Sequence, residues 1–164
     1  MPEPPAIRVA PVTAELRSAV LGLRVQPEQY AFVSPIDVSL ADAEQCPGST
    51  PMTILFGGTP VGYYRIEHSA RSVADRDFDV PALGLRSLFI DMNWQGRGFG
   101  TPALAALNDD LAMRHAEARL LVLTVNCRNL AARALYLRAG FVDSGELYHG
   151  GRSGPQHLMW CPLP

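Results

Sequence analysis

The stretch Gln95-Gly96-Arg97-Gly98-Phe99-Gly100-Thr101-Pro102 has the residue types and spacing to hold an anion. Glycines on alternate positions leave the backbone bare and free to take positive φ, so several N–H groups can turn toward one oxyanion. Thr101 suits an N-cap and Pro102 a first helical position, which predicts a helix from Ala103 to Met113 whose unsatisfied N–H groups aim at the same point. Absences narrow the ligand. The chain has no lysine, all 14 basic residues being Arg, which excludes a Walker loop, an enzyme-lysine Schiff base and the kinase lysine. The G-x-G-x-G spacing also departs from the G-x-G-x-x-G of dinucleotide folds. A tight turn feeding a helix, with no ligand, is the plainer alternative for the glycines alone.

A second constellation follows. Leu120 to Val125 is a continuous apolar run that suits a strand buried on both faces, and polarity begins at Asn126. Asn129 can cap a helix with Leu130, Ala134 and Leu137 on its apolar side, while Gly140-Phe141 reads as a left-handed C-cap with a hydrophobic contact. On the residues alone, Tyr136 in that helix is most simply an aromatic packed on a sheet.

Gln95-x-x-Gly98-x-Gly100 after an apolar strand resembles the acyl-CoA pyrophosphate loop of the GNAT superfamily of N-acyltransferases. The segment from Leu120 through Asn126 and Asn129 to Gly140-Phe141 is similar to the next strand and helix of that superfamily, so the likeness covers residues 84 to 145. The resemblance implies an α/β (α+β) GNAT fold with a mixed, mainly antiparallel central sheet flanked by helices, and acetyl-CoA as co-substrate. It implies backbone contacts from Phe89 and Ile90 to the pantetheine arm and phosphate contacts from Gln95, Gly96, Arg97, Gly98, Phe99, Gly100 and Thr101. Asn126 and Asn129 would hold the arm from the other strand, and Tyr136 would act as general acid toward the departing thiolate. Pro102 is a departure, because it removes one N–H from the first helical turn.

The acceptor implied is a primary amine. Val25-Gln26-Pro27-Glu28-Gln29, with Phe32-Val33 and Ser39 to Ala43, resembles the region between the first helices of bacterial diamine and polyamine acetyltransferases. Glu28, together with Glu15, Asp37, Asp42 and Glu44, could supply negative charge for a cationic amine, although a solvated helical surface explains the same acids. An amine of pKa about 10.4 is almost wholly protonated at pH 7, a handicap of roughly 4 to 5 kcal/mol before attack on a thioester. Some acceptor for that proton is needed. Glu67 is the first candidate, since acidic residues of the central strands often serve in the superfamily, with His68 and Asp91 behind it. Strand alternation puts Glu67 and His68 on opposite faces. Two other readings stay open: acetylation of a protein N-terminus or amino acid, and a catalytically silent acyl-CoA-binding module.

The elements that must position these groups can be read from periodicity and turn chemistry. Ile7 to Val12 reads as an opening strand, Thr13 as the cap of a helix to Leu21, and Pro27 as the start of a short second helix. Ser39 to Glu44 is a brief helical turn. Thr53 to Phe56 and Val61 to His68 form a hairpin around Gly57-Gly58-Thr59-Pro60, and 69 to 82 is a loop. Leu85 to Ile90 feeds the glycines; Phe141 to Tyr148 and His157 to Cys161 close the sheet around the turn 150–155.

At 164 residues the chain is long enough for one core, giving a single domain over 1–164 with a loose Pro-rich lead at 1–5. No signal peptide or spanning segment is visible, so a cytoplasmic location without membrane contact is expected. Cys46, Cys127 and Cys161 and four histidines lack ligand spacing, so no metal is expected, and a net charge of −2 argues against nucleic acid. A homodimer is compatible with this reading.

Overall fold

The computed structural model describes residues 6–151 and 153–164. Seven strands form one sheet in the order β1-β2-β3-β4-β5-β7-β6, where β1 is Ile7–Pro11, β2 Ser49–Phe56, β3 Thr59–Glu67, β4 Ala82–Ile90, β5 Leu120–Asn126, β6 Val142–Tyr148 and β7 Gln156–Pro162. The helices are α1 (Ala14–Leu21), α2 (Ile36–Gln45), α3 (Arg71–Ala74), α4 (Gly100–Arg114) and α5 (Leu130–Arg138), with a 3₁₀ turn over Pro27–Ala31. Every pairing is antiparallel except β4 with β5. The expected α/β sheet, mixed and mainly antiparallel, is what the chain forms.

The β4/β5 pair decides the architecture. It is in register only over Ala82–Leu120, Leu83–Leu121 and Gly84–Val122; beyond these residues no pairing joins the strands. Irregularity in β4 accompanies the separation: its register against β3 shifts between Tyr63 and Arg65, and Ser87 sits at φ 62. The extra residue of a bulge increases local twist and bends the strand, which suits a strand that must leave its neighbour. β4 and β5 therefore diverge into a cleft whose two sides are strand edges.

One core cluster lies between the sheet and α4, built on Leu104, Leu107 and Leu111 against Ile54, Tyr64, Ile66, Leu121 and Leu123, all nearly inaccessible. A second packs α1 and α2 on the opposite face around Val20, Leu40, Tyr63 and Phe89. Alternation along β3 sorts these faces, Tyr64 and Ile66 toward α4 and Tyr63, Arg65 and Glu67 toward α2.

Several sequence expectations hold and others need correction. Thr13 caps α1, accepting from the Leu16 amide at 3.3 Å, and Asn129 caps α5, accepting from Ala132 at 3.4 Å. Gly140 is left-handed at φ 99, as a C-cap there requires. The hairpin turn is only Gly57-Gly58, because Thr59 and Pro60 already pair in β3. α2 is longer than the expected Ser39 to Glu44, β4 begins before Leu85, and the expected loop 69–82 contains α3. α4 begins at Gly100, with Phe99 rather than Thr101 as N-cap, so Pro102 occupies the third helical position. An amide there lacks an intrahelical acceptor in any case, so the proline costs no helical hydrogen bond. α5 does not pack on its expected Leu130, Ala134 and Leu137 side: Leu130 is 72% and Leu137 41% exposed, while Ala132, Leu135, Tyr136 and Ala139 meet the core. Arg152, in the expected turn 150–155, lies outside the described residues, as does the lead at 1–5.

Candidate active site

Two cavities, of about 320 and 350 Å³, occupy the divergence between β4 and β5. Phe32, Val33, Leu88, Asn129 and Ala132 line both, so they form one continuous cleft.

The cofactor-like end is set by the glycine loop. Gly96 and Gly98 take φ 77 and 78, conformations that cost a side chain but suit glycine. Among the described residues, the amides of Gly96, Arg97, Gly98 and Phe99 meet no acceptor, and those of Gly100 and Thr101 begin α4, where none is available within the helix. Gly96, Gly98, Phe99 and Gly100 line the cavity next to the α4 N-terminus, so unengaged backbone donors border the space where a helix end favours an anion. Gly100 has a packing reason as well: a Cβ there would lie 2.9 Å from Leu135 Cδ2, so glycine lets α4 begin hard against α5. The residue types present therefore fit a diphosphate.

Gln95 acts differently from a phosphate ligand. Its Nε2 donates to the Ile90 carbonyl at 2.8 Å and to Gln29 Oε1 at 2.9 Å, and Gln29 Oε1 also accepts from the Gln26 amide at 2.8 Å. Gln95 thus ties the end of β4 to the 3₁₀ turn beside the cleft. Arg97 donates to the Asn93 carbonyl and stacks on Trp94 at 4.7 Å. Phe89 and Ile90 both line the cavity at this end. Asp91, the weaker base candidate, is buried and structural, its carboxylate accepting from the amides of Arg24 at 2.7 Å and Asn93 at 3.0 Å. Asp91→Ala would strand both amides, and urea unfolding is expected to show a loss of about 2 to 4 kcal/mol.

At the other end, Tyr136 lines the first cavity, packs against Phe141 at 5.4 Å, and its hydroxyl meets no hydrogen-bond partner among the described residues. Burial pushes its pKa well up, so the phenol stays protonated through neutral pH. Asn126 also borders this cavity, but its side chain is committed: Nδ2 donates to the Ser153 carbonyl at 2.9 Å and Oδ1 accepts from the Arg128 amide at 2.9 Å. Ser153 Oγ in turn donates to the Ala31 carbonyl at 2.6 Å, so the loop between β6 and β7 reaches across to the 3₁₀ turn. Asn129 faces both cavities while capping α5.

Glu67 does not reach the cavity wall. It is buried beside β2, accepting from Ser49 Oγ at 3.0 Å and ion-paired with Arg65 at 3.2 Å and Arg86 at 3.5 Å. His68 is exposed and bonded to Thr50 at 2.9 Å, away from the cleft. Glu28 is exposed and lines neither cavity. Among the acids proposed for a cationic acceptor, Asp42 is 2.9 Å from Arg65 and Glu44 is 2.9 Å from Arg17.

A family model described as the Acetyltransferase (GNAT) family matches residues 20–141. The chain belongs to the GNAT acetyltransferase family. It is an N-acetyltransferase. A spermine/spermidine N(1)-acetyltransferase of Bacillus subtilis (strain 168) is 31% identical over 146 residues, covering 89% of this chain and 94% of that protein. An aminoglycoside N(6′)-acetyltransferase from Legionella pneumophila superposes with a TM-score of 0.73 at 17% identity, over 99% of this chain and 94% of that one. Spermidine N-acetyltransferase from Vibrio cholerae, in complex with CoA and spermine, superposes with a TM-score of 0.68 at 14% identity, over 96% and 95%. The last two establish the fold.

Within this GNAT cleft, sequence reasoning missed Gln29, Arg86 and Arg138. Arg138, in the last turn of α5, shares the walls of the cofactor-like cavity with Gly96, Gly98 and Gly100. Its position seven residues past Ala131 on the same helix is the available signal, hidden because Leu130 and Leu137 make the exposed side of α5 look apolar. Gln29 was visible as the third residue after Gln26, the spacing of a capping box, which the structure forms. Arg86 gave no local signal, since its place depends on where β4 parts from β5.

Proposed function

We propose that this GNAT enzyme transfers the acetyl group of acetyl-CoA to the primary amine of a small molecule, by direct attack of the amine in a ternary complex. The observation that carries the reading is the continuity of the cleft, which joins the amides of the glycine loop to the Tyr136 hydroxyl, both without partners among the described residues, along two separated strand edges. The amides of Gly96 to Thr101 would take the diphosphate, with Arg138 available for further negative charge. Phe89 and Ile90 would flank the pantetheine arm, and Asn129 would stand at its bend. Tyr136, neutral because buried, would give its proton to the departing thiolate.

Glu67 enters as the group that holds Arg86 rather than as a base in contact with the amine, because two arginines and Ser49 surround it. The amine proton would then leave through cleft water. Names of the curated relatives support a polyamine acceptor, and so does the resemblance at Val25 to Gln29. A second reading, an amine that also carries an anion, is favoured by the charge on the cavity wall.

The test is release of free thiol from acetyl-CoA with a panel of amines. Turnover is expected, with kcat/KM rising about tenfold per pH unit between pH 7 and 9 as the neutral amine fraction grows. Acetyl-CoA binding without thiol release from any amine would instead identify a silent acyl-CoA-binding module.

A further inference from the structure

The wall of the acceptor end carries one charged side chain among the described residues, and it is positive. Arg86 lines the cavity with Ser34, Ser72 and Tyr148, and no Asp or Glu borders it. A polycation entering this space would meet a guanidinium and no counter-charge.

Arg86 is also placed with care. It pairs in register with Arg65 across β3 and β4, an arrangement that sets like charges side by side. The two arginines are then treated unequally. Arg65, 3% exposed, is fully engaged: Nε and Nη2 reach Ser49 Oγ at 3.1 and 3.0 Å, Nη1 reaches Asp42 at 2.9 Å, and Nη2 reaches Glu67 at 3.2 Å. Among the described residues Arg86 keeps a single polar contact, Nη1 to Glu67 at 3.5 Å, with no shorter hydrogen bond, and its side chain is 44% exposed. Glu67 holds one corner of the fork, and among the described residues the other donors of this cavity-lining side chain have no partner. Burying Arg65 and Glu67 is costly and gives little stability by itself, so positioning is the better account of the cluster.

We infer that Arg86 is a specificity residue that reads an anionic group on the acceptor, so that the substrate class is a primary amine bearing a carboxylate or an equivalent oxyanion. This rests on the acetyl-transfer reading above. A planar guanidinium with free adjacent donors matches a carboxylate in two-point geometry, which fixes the acceptor's orientation as well as its charge. Ser34, Ser72 and Tyr148, each bearing a hydroxyl, line the same space. The reaction is unchanged: the amine nitrogen bonds to the acetyl carbon, the carbon–sulfur bond breaks, the thiolate takes one proton and the amine loses one to water.

The experiment uses two matched comparisons, 4-aminobutyrate against 1,4-diaminobutane and alanine against alaninamide. Each is followed by thiol release and, separately, by calorimetric binding to the full chain saturated with CoA. The carboxylate member of each pair is expected to have the higher kcat/KM and the tighter binding. Arg86→Gln should shrink the alanine-to-alaninamide ratio roughly 10- to 100-fold, the size of a lost charge-assisted contact. Arg86→Lys, which keeps the charge without the fork, should fall between. Preference for the diamine, or a ratio unmoved by Arg86→Gln, would overturn the inference while leaving acetyl transfer intact. Arg86-dependent binding of the carboxylate amines with no thiol released would uphold it and sink the transfer reading.

Discussion

Tyr136→Phe is expected to lower kcat by roughly 10² to 10⁴ with little change in acetyl-CoA affinity. The phenyl ring retains its packing on Phe141, and the free amides that would hold the diphosphate lie on another segment, so the substitution subtracts a proton donor and little else. Because the hydroxyl has no hydrogen-bond partner among the described residues, the melting temperature should scarcely move. The pH profile adds an independent check. A phenol whose pKa is raised by burial remains protonated well past neutrality, so no alkaline loss of kcat should appear below about pH 10. Undiminished turnover in Tyr136→Phe would strip Tyr136 of this role and leave the enzyme standing.

Gly98→Val should remove acetyl-CoA binding, with calorimetry recording a loss of several kcal/mol, about what the surrender of two or three amide contacts to charged oxygens implies. The damage comes from the backbone. Apart from its chain neighbours, no described residue comes within 4 Å of where a Cβ on Gly98 would stand, so the cost is not a collision with packed side chains, but φ 78 is a conformation that a β-branched residue scarcely adopts. The loop would relax to negative φ and turn its donors away from their common point. Gly98→Ala, at the same φ, should lose less, and native affinity in Gly98→Val would overturn the phosphate-loop assignment.

How much of this could be read from the sequence follows from the range of the forces involved. The caps Thr13 and Asn129, the Gly57-Gly58 turn and the left-handed Gly140 were legible because each is decided by a few adjacent residues. So was the glycine loop, whose donors are backbone groups. Legibility failed where a choice depended on distant packing. The apolar side of α5 is illegible because Leu130 and Leu137 look like core in the sequence, while the side that packs is decided by distant contacts such as the close approach of Leu135 to Gly100. Glu67 was placed on the right strand, yet strand alternation could not foresee that Ser49, Arg65 and Arg86 would enclose it. Gln95 was legible as a member of the loop and illegible as a strut, since its partner Gln29 lies far along the chain.

The brief pairing of β4 with β5 makes the sheet two plates joined at a three-residue seam, β1 to β4 on one side and β5 to β7 on the other. Beyond Gly84 in β4 and Val122 in β5 the two facing edges have no strand partner, so in the alternation of an extended chain every second amide there lacks a ladder acceptor. In native-state hydrogen exchange these amides should exchange fast, and the plates should open as separate cooperative units. A ligand lying in the cleft becomes the missing strand between them. Saturation with CoA should therefore slow exchange at both facing edges together and raise the opening free energy of the seam by RT ln(1 + [L]/Kd), coupling the plates into one unit.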